Sequence, residues 1–265
     1  MTLLPLQQHP NFGRALRHIG VQVNSVTMSG AAPVQVIRRY GINYVARGPV
    51  WLSGHSTRPN DLRMAKLHLI NSNGGDAQGL HAAGYRRIMT AAHVAELTVT
   101  ADADGMAAHM HAKWRNVWRR SQNTPLRISH AQFAPAKHQW LLQADLAQQK
   151  QKRFRALPHA LIHAYPRHDV TVCTADMNGV IVAGMLFLRH GACATYHLGW
   201  TNDDGRAHAA HHRMLIDAAM HLAGVGVQRL DLGTVDTQST PGLARFKIGS
   251  GAKIHPLGGS WIRFP

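Results

Sequence analysis

Glutamate is almost missing from this chain: Glu96 stands alone among 265 residues. Chemistry that works through a pair of carboxylates, one acid and one base, therefore has little to draw on. Cysteine is nearly as scarce. Cys173 and Cys193 cannot build a disulfide framework or supply a four-thiolate zinc site, and a reducing cytoplasm is the expected setting. Long apolar runs are missing too, since the best of them, Val180 to Leu188, is interrupted by Gly184 and stops at Arg189. A membrane-spanning helix needs ~20 such residues. The opening Met-Thr-Leu-Leu-Pro-Leu-Gln-Gln-His-Pro carries neither a basic start nor a sustained apolar stretch, so no export signal is expected. Neither Gly-x-Ser-x-Gly nor His-Glu-x-x-His occurs, which sets aside elbow-type serine hydrolases and zincin metalloproteases.

What is present is positive charge. Lys and Arg number 29 against 13 Asp and Glu, a net +16, and 22 of the bases are arginine. The planar guanidinium suits phosphate and carboxylate, so an anionic partner is expected: nucleic acid, a nucleotide-bearing cofactor or an acidic membrane surface. A solvated positive surface with no partner gives the same arithmetic. With 45% hydrophobic and 16% charged residues the chain is globular rather than disordered.

Val21 to Met28, Val34 to Tyr40 and Ile42 to Trp51, rich in Val, Ile and Tyr and punctuated by Gly30, Gly41 and Pro49, predict a small antiparallel sheet. A short helix is expected from Leu62 to Ile70 behind an Asn60-Asp61 cap, and strands at Tyr85 to Ile88 and Glu96 to Thr100. From Asp102 to Ser121 the apolar residues recur at three and four, predicting one amphipathic helix. After a strand near Leu126 and a helix from about Lys137 to Leu157, three strands come at Asp169 to Ala175, Gly179 to Leu188 and Ala192 to Trp200. Short turns join them into a meander. A helix from Arg206 to Ala223, a strand at Val227 to Leu232, a Gly-rich loop around Lys247 and a last strand at Gly259 to Phe264 complete the reading.

Three antiparallel strands, a crossover helix and a strand beside the third make the core of the GNAT fold. The segment Gly242-Leu-Ala-Arg-Phe-Lys247, followed by Gly249 and Gly251, resembles the Phe-Lys-x-Gly-x-Gly signature of the Fem-type peptidyltransferases, the FemAB-like N-acyltransferases of the GNAT group. Tyr44 to Trp51 resembles the Arg-Gly-Pro segment of that group, His111 to Asn116 its inter-domain helix, and Leu230-Asp-Leu-Gly233 the strand before the signature. The resemblance implies an α/β (α+β) chain of tandem GNAT-like domains with mixed, largely antiparallel sheets. The division is expected at residues 1–125 and 126–265, with the signature in the second domain. It implies an enzyme that moves an acyl or aminoacyl group from aminoacyl-tRNA or acyl-CoA, as co-substrate, to an amine on a small or peptide-like acceptor. No tightly bound cofactor is implied. The alternative from another class is a non-catalytic GNAT-fold module that binds nucleic acid through its basic surface.

The resemblance implies that Lys247, like the matching lysine of Fem-type enzymes, stabilises the transition state or the donor phosphate, and the backbone near Phe246 offers a second oxyanion donor. His197 and Asp231 are the candidate bases, an imidazole pKa near ~6.5 suiting proton removal at neutral pH. Asp231 has a structural alternative, an ion pair with Arg213 or Arg245. Donor or substrate contacts are expected from Arg245 and Tyr196, from Arg47 and Trp51, and from Arg115 and Arg119. The last two sit in a Lys113, Arg115, Arg119, Arg120 cluster with Trp114 and Trp118, which reads equally as an ordinary amphipathic helix. CoA-dependent GNAT enzymes carry glycines before the crossover helix, where Ala209 and His211 stand here beside Asp203 and Asp204, and this weakens the CoA reading. His208, His211 and His212 share a helix region, but no acidic or thiolate ligand accompanies them, and no metal is expected.

Overall fold

The computed structural model describes residues 2–53, 55, 57–74, 77–154 and 156–264. In chain order come α1 (Pro10–His18), β1 (Gln22–Val26), β2 (Val34–Arg39), β3 (Ile42–Ala46), α2 (Pro59–Met64), β4 (Leu69–Ser72), α3 (Ala77–Ala82), β5 (Arg86–Met89) and β6 (His93–Thr98). Next are α4 (Ala103–Ala108), α5 (Ala112–Gln122), β7 (Arg127–Gln132), α6 (Pro135–Lys152), α7 (His159–Ala164), β8 (Val170–Met177), β9 (Val180–His190) and β10 (Cys193–Thr201). The chain finishes with α8 (Asp203–Ala207), α9 (Ala210–Gly224), β11 (Arg229–Val235), α10 (Pro241–Gly249), β12 (Lys253–Pro256) and β13 (Gly259–Ile262). It divides into two compact units, Met1–Val94 with His255–Pro265, and Ala95–Ile254.

One plan recurs in both units. In the first, β1, β2 and β3 form an antiparallel meander and the chain crosses over through α2 to β4, which lies parallel to β3. In the second, β8, β9 and β10 form the meander and the crossover through α8 and α9 delivers β11 parallel to β10. The full orders are β1-β2-β3-β4-β13-β5 and β12-β6-β11-β10-β9-β8-β7. These mixed, largely antiparallel sheets with helices form the tandem GNAT-like α/β architecture.

The expected division after residue 125 falls between α5 and β7, inside the second unit. Two packing facts place the boundary elsewhere. Trp114 and Trp118 of α5 are buried in the same core as Met185, Phe187 and Met214, so that helix belongs with the later strands β9 and β10 and with α9. Trp261 of β13 is buried with Val45, Ile70 and Tyr85, so the last strand belongs with the first sheet. The apolar run from Val180 is β9, the central strand of the meander, buried from Val182 to Leu188 because both its faces are covered.

Four expected elements differ in detail. The helix proposed for Leu62 to Ile70 ends at Met64, and Ile70 is a fully buried strand residue instead. The helix proposed for Asp102 to Ser121 is two helices, because the corner at His109 to His111 is held by the His111 N–H donating to the Gly249 carbonyl at 3.0 Å. Ala209, at φ 53°, divides the helix proposed from Arg206 into α8 and α9. The Gly-rich loop around Lys247 is a helix, α10, started by Pro241 in its first turn, where a missing N–H costs nothing.

Candidate active site

Strands β10 and β11 pair only through Cys193–Thr195 and Arg229–Asp231. Each then runs on, β10 to Thr201 and β11 to Val235, without a further register partner in the other. A bulge between Tyr196 and Leu198 marks the point of departure, with His197 as the extra residue. Side chains hold the freed tail of β10: Gln148 donates to the Gly199 carbonyl at 3.3 Å, His211 to that of Trp200 at 3.0 Å, and Arg206 to that of Thr201 at 2.8 Å.

Lys247 meets the other strand. It is 6% exposed, and its Nζ donates to the Thr234 carbonyl at 2.7 Å, just past Asp231. Burial pushes the ammonium pKa down, and the nearby Asp231 carboxylate opposes that shift. Asp231 is 4% exposed, and its Oδ1 accepts the Gly233 N–H at 2.7 Å. A buried cation and a buried anion thus stand at the end of the β10–β11 pairing.

The glycines of the signature are spatial requirements. A Cβ on Gly249 would stand 2.6 Å from Trp114 Cδ1, so only hydrogen lets α10 approach the indole. Gly251 has φ 91°, and a Cβ there would press within 3.0 Å of the His109 carbonyl. Phe246 faces the same way, with ring centroids 5.4 Å from His212 and 5.9 Å from Trp114. The expected oxyanion donor in its backbone is corrected here: in the interior of α10 the N–H groups are directed at carbonyls four residues back, leaving Phe246 its ring.

The remaining candidates have neighbours of their own. His197 is half-buried, and burial lowers its pKa to about 4; Asp145 acts to raise it and His159 to lower it further. Those two partners form a pair of their own, His159 Nε2 to Asp145 Oδ2 at 2.8 Å, with Gln149 Nε2 donating to the same oxygen at 2.6 Å. Nothing in the sequence near His197 signals this, because the pair comes from α6 and α7. Tyr196 packs on Phe187 with centroids 5.7 Å apart, and burial raises its pKa. Arg213 donates to the Ser121 and Gln122 carbonyls at the end of α5, and Arg245 is exposed. Arg115 reaches the Ala107 carbonyl at 3.4 Å, while Arg119 faces water beside the buried Trp114 and Trp118. In the first unit, Arg47 Nε donates to Asn73 Oδ1 at 3.1 Å, and Trp51 bridges to Ala31 and packs on the core.

His208, His211 and His212 turn to different neighbours: the Asp204 carbonyl, the Trp200 carbonyl and the Trp114–Phe246 rings. Burial lowers the pKa of His212 to about 4, the neighbouring His211 adding to the effect. Among the described residues no group of three or more His, Cys, Asp or Glu side chains is placed to hold a metal, and no helix is long and apolar enough to cross a membrane.

No protein-family model and no curated protein sequence matches the chain. Solved structures do. FemX superposes with a TM-score of 0.76 over 97% of this chain and 93% of its own, at 11% identity. The C-terminal domain of a putative lysylphosphatidylglycerol synthetase from Agrobacterium fabrum gives 0.63 over 98% and 88%, at 15% identity. A conserved protein of unknown function from Bacteroides thetaiotaomicron gives 0.59 over 97% and 92%, at 14% identity. At such identities the likeness is one of fold, and the fold this chain shares with FemX is the one its Phe246-Lys247 signature resembles.

Proposed function

We propose that the chain is an N-acyltransferase that moves an acyl or aminoacyl group from an activated donor to an amine, with Lys247 and Asp231 at its chemical centre. The observation that carries this reading is the buried Lys247 ammonium beside Asp231 where β10 and β11 part. Acyl transfer builds negative charge on the carbonyl oxygen, and a preplaced cation in a desolvated site meets that charge without reorganisation. One of the three Nζ hydrogens is held by Thr234, which fixes the head and leaves the others for an oxyanion or a donor phosphate. Asp231 is the group suited to holding the acceptor amine and taking its proton. The charged neighbours of His197 are Asp145 and His159, whereas that of Lys247 is Asp231, so Asp231 is the candidate that stands with the lysine.

An aminoacyl-tRNA donor fits better than acyl-CoA. Pyrophosphate binding at a crossover helix uses open N–H groups behind glycines. Here Ala209 takes the left-handed position before α9, the His211 ring closes on the Trp200 carbonyl, and Asp203 and Asp204 bring negative charge to the approach.

The test is amide formation read by mass spectrometry, with amino-acid-charged bulk tRNA in one arm and acetyl-CoA in the other. Small molecules that copurify with the protein serve as acceptors. Lys247→Ala should lower turnover ~100- to 1000-fold with the fold kept, the usual effect of removing one transition-state contact. Lys247→Arg should rescue poorly, because a planar guanidinium does not fit the point position of an ammonium. Both variants keeping at least half the wild-type rate would refute the assignment. RNA binding that falls steeply with salt, with no amide from either donor, would favour the non-catalytic module.

A further inference from the structure

Charge is shared unevenly between the two units. Residues 1–94 and 255–265 hold eleven Lys and Arg, with Asp61 and Asp76 as their acids. Asp61 is engaged, its Oδ2 accepting the Ser29 N–H at 3.0 Å. The sheet of this unit gathers many of the bases at one end. A row of paired residues crosses it: Ile37, Tyr44, Leu69, Ile262 and Arg86. Beyond that row, on one side, lie the turn between β2 and β3, the residues leading into β4 and the residues following β13. Hydrogen bonds tie these segments together. The His68 N–H donates to the Asn43 carbonyl and the Arg263 N–H to the His68 carbonyl, both at 2.9 Å. The Asn43 side-chain amide donates to the Lys66 carbonyl at 3.0 Å, and Arg263 Nη2 to the Arg63 carbonyl at 3.4 Å, which brings in the end of α2.

Large apolar side chains are exposed at this end: Tyr40 at 88%, Met64 at 82% and Phe264 at 74%, with Ile42 half-exposed. Arg38, Arg39, Arg63, Lys66 and Arg86 are exposed with them. Among the described residues none of these five cations pairs with a carboxylate. Tyr40 adds a second observation. With Gly41 it forms the two-residue turn across which Arg39 pairs with Ile42, and both have positive φ, 49° and 76°. Glycine takes that conformation freely. A tyrosine there costs stability and regains none by burial, its ring lying in water with the Arg39 guanidinium 5.1 Å from its centroid.

We propose that this end of the first unit docks peripherally on an anionic lipid bilayer, Tyr40, Ile42, Met64 and Phe264 entering the boundary between headgroups and acyl chains and the five cations meeting lipid phosphates. Buried apolar area and attraction to anionic lipid together set the strength of such binding. Each Lys or Arg held near an acidic leaflet adds to it. Charge alone would suit RNA equally, but bases stack on rings, and Ile42 and Met64 have none. Hydrocarbon takes aliphatic and aromatic side chains alike. The docking is separate from the Lys247 chemistry of the second unit, and its test needs no turnover.

The experiment is cosedimentation of the full chain with vesicles of equal parts phosphatidylglycerol and phosphatidylcholine, with vesicles of phosphatidylcholine alone, and a parallel titration with bulk tRNA. Binding to the mixed vesicles is expected, ~tenfold or more tighter than to the neutral ones. Tyr40→Ser combined with Ile42→Ser keeps every charge and should weaken binding to the mixed vesicles ~tenfold or more at an unchanged melting midpoint, both side chains being exposed. Arg38→Gln combined with Arg39→Gln should weaken it as much. Lys150→Gln combined with Lys152→Gln removes the same charge from α6 and should leave it within ~twofold. Tyr40→Trp should gain fluorescence that bromine-labelled acyl chains quench. Failure to bind the mixed vesicles, binding that the double serine variant retains, or an equal loss in the α6 variant overturns the proposal. So does tRNA binding that the double serine variant weakens while vesicle binding stays.

Discussion

Acid should loosen the second unit well above the pH at which its carboxylates protonate, and the size of the effect can be worked from two rings. His197 and His212 each have a folded pKa of about 4 against an ordinary 6.5, in both cases chiefly through burial. The lowering sets the sign: between those values the unfolded chain binds the proton and the folded one does not, so stability falls as pH falls. It is whole above pH 6.5 and fully lost below pH 4. At pH 5 each ring accounts for ~2 kcal/mol, and at pH 4 and below for ~3 kcal/mol. Burial also lowers the pKa of His211, His138 and His221, all with the same sign. Against a total stability of ~5–15 kcal/mol, the loss of ~4 kcal/mol or more by pH 5 is a large share. Urea unfolding at pH 7.5 and pH 5, monitored by tryptophan fluorescence from Trp114 beside His212, reads it directly. His212→Leu should remove close to half of the two-ring slope. Stabilities at the two pH values within ~1 kcal/mol, or ring resonances titrating near pH 6.5, would refute the reasoning.

Gly249→Ala places a methyl 2.6 Å from Trp114 Cδ1 and should cost ~1–3 kcal/mol in urea unfolding, the usual cost of overpacking. Acetyl-CoA should show no low-micromolar binding by calorimetry, because an affinity worth ~8 kcal/mol needs phosphate contacts that the start of α9 is not built to give. Asp145→Asn removes the carboxylate that raises the His197 pKa, so that ring should titrate at still lower pH, seen in its NMR resonances.

The meander β8–β9–β10 was legible because its apolar runs are of strand length and its turns carry Asn178-Gly179 and Gly191 at positive φ. The place of β13 was not. Its alternation marks a strand, but nothing local says that Trp261 completes the core of a sheet begun more than two hundred residues earlier. Helix α10 hid behind its glycines, although Pro241 at the first turn was an available signal. Ala209 gave none, since alanine is a helix former; the division there comes from the left-handed turn that sets His211 against Trp200 and His212 against Trp114. For the site, the sequence pointed to Lys247 and Asp231 through the signature alone. Asp145 and His159 are visible only once α6 and α7 lie against the meander.

The burial of Lys247 gives a way to separate a functional charge from a structural one. A cation 6% exposed is costly to keep, but exchanging it alone for apolar volume leaves the buried Asp231 carboxylate without its neighbouring cation. Lys247→Met makes that exchange at nearly constant volume. It frees the Thr234 carbonyl, but Thr234 is exposed and water can take over that bond. Asp231 loses a neighbouring charge yet keeps the Gly233 N–H. The fold should therefore hold at reduced stability, with a loss of ~3–5 kcal/mol at most. If Lys247 only tethered α10 to β11, Met would be an adequate replacement and every activity of the protein would survive it. If the ammonium meets charge that develops in the reaction, Met should lower turnover ~100-fold or more in protein that remains folded under the assay conditions. A folded Lys247→Met protein of wild-type rate would show the lysine to be a tether, and the active site would have to be sought elsewhere in the fold.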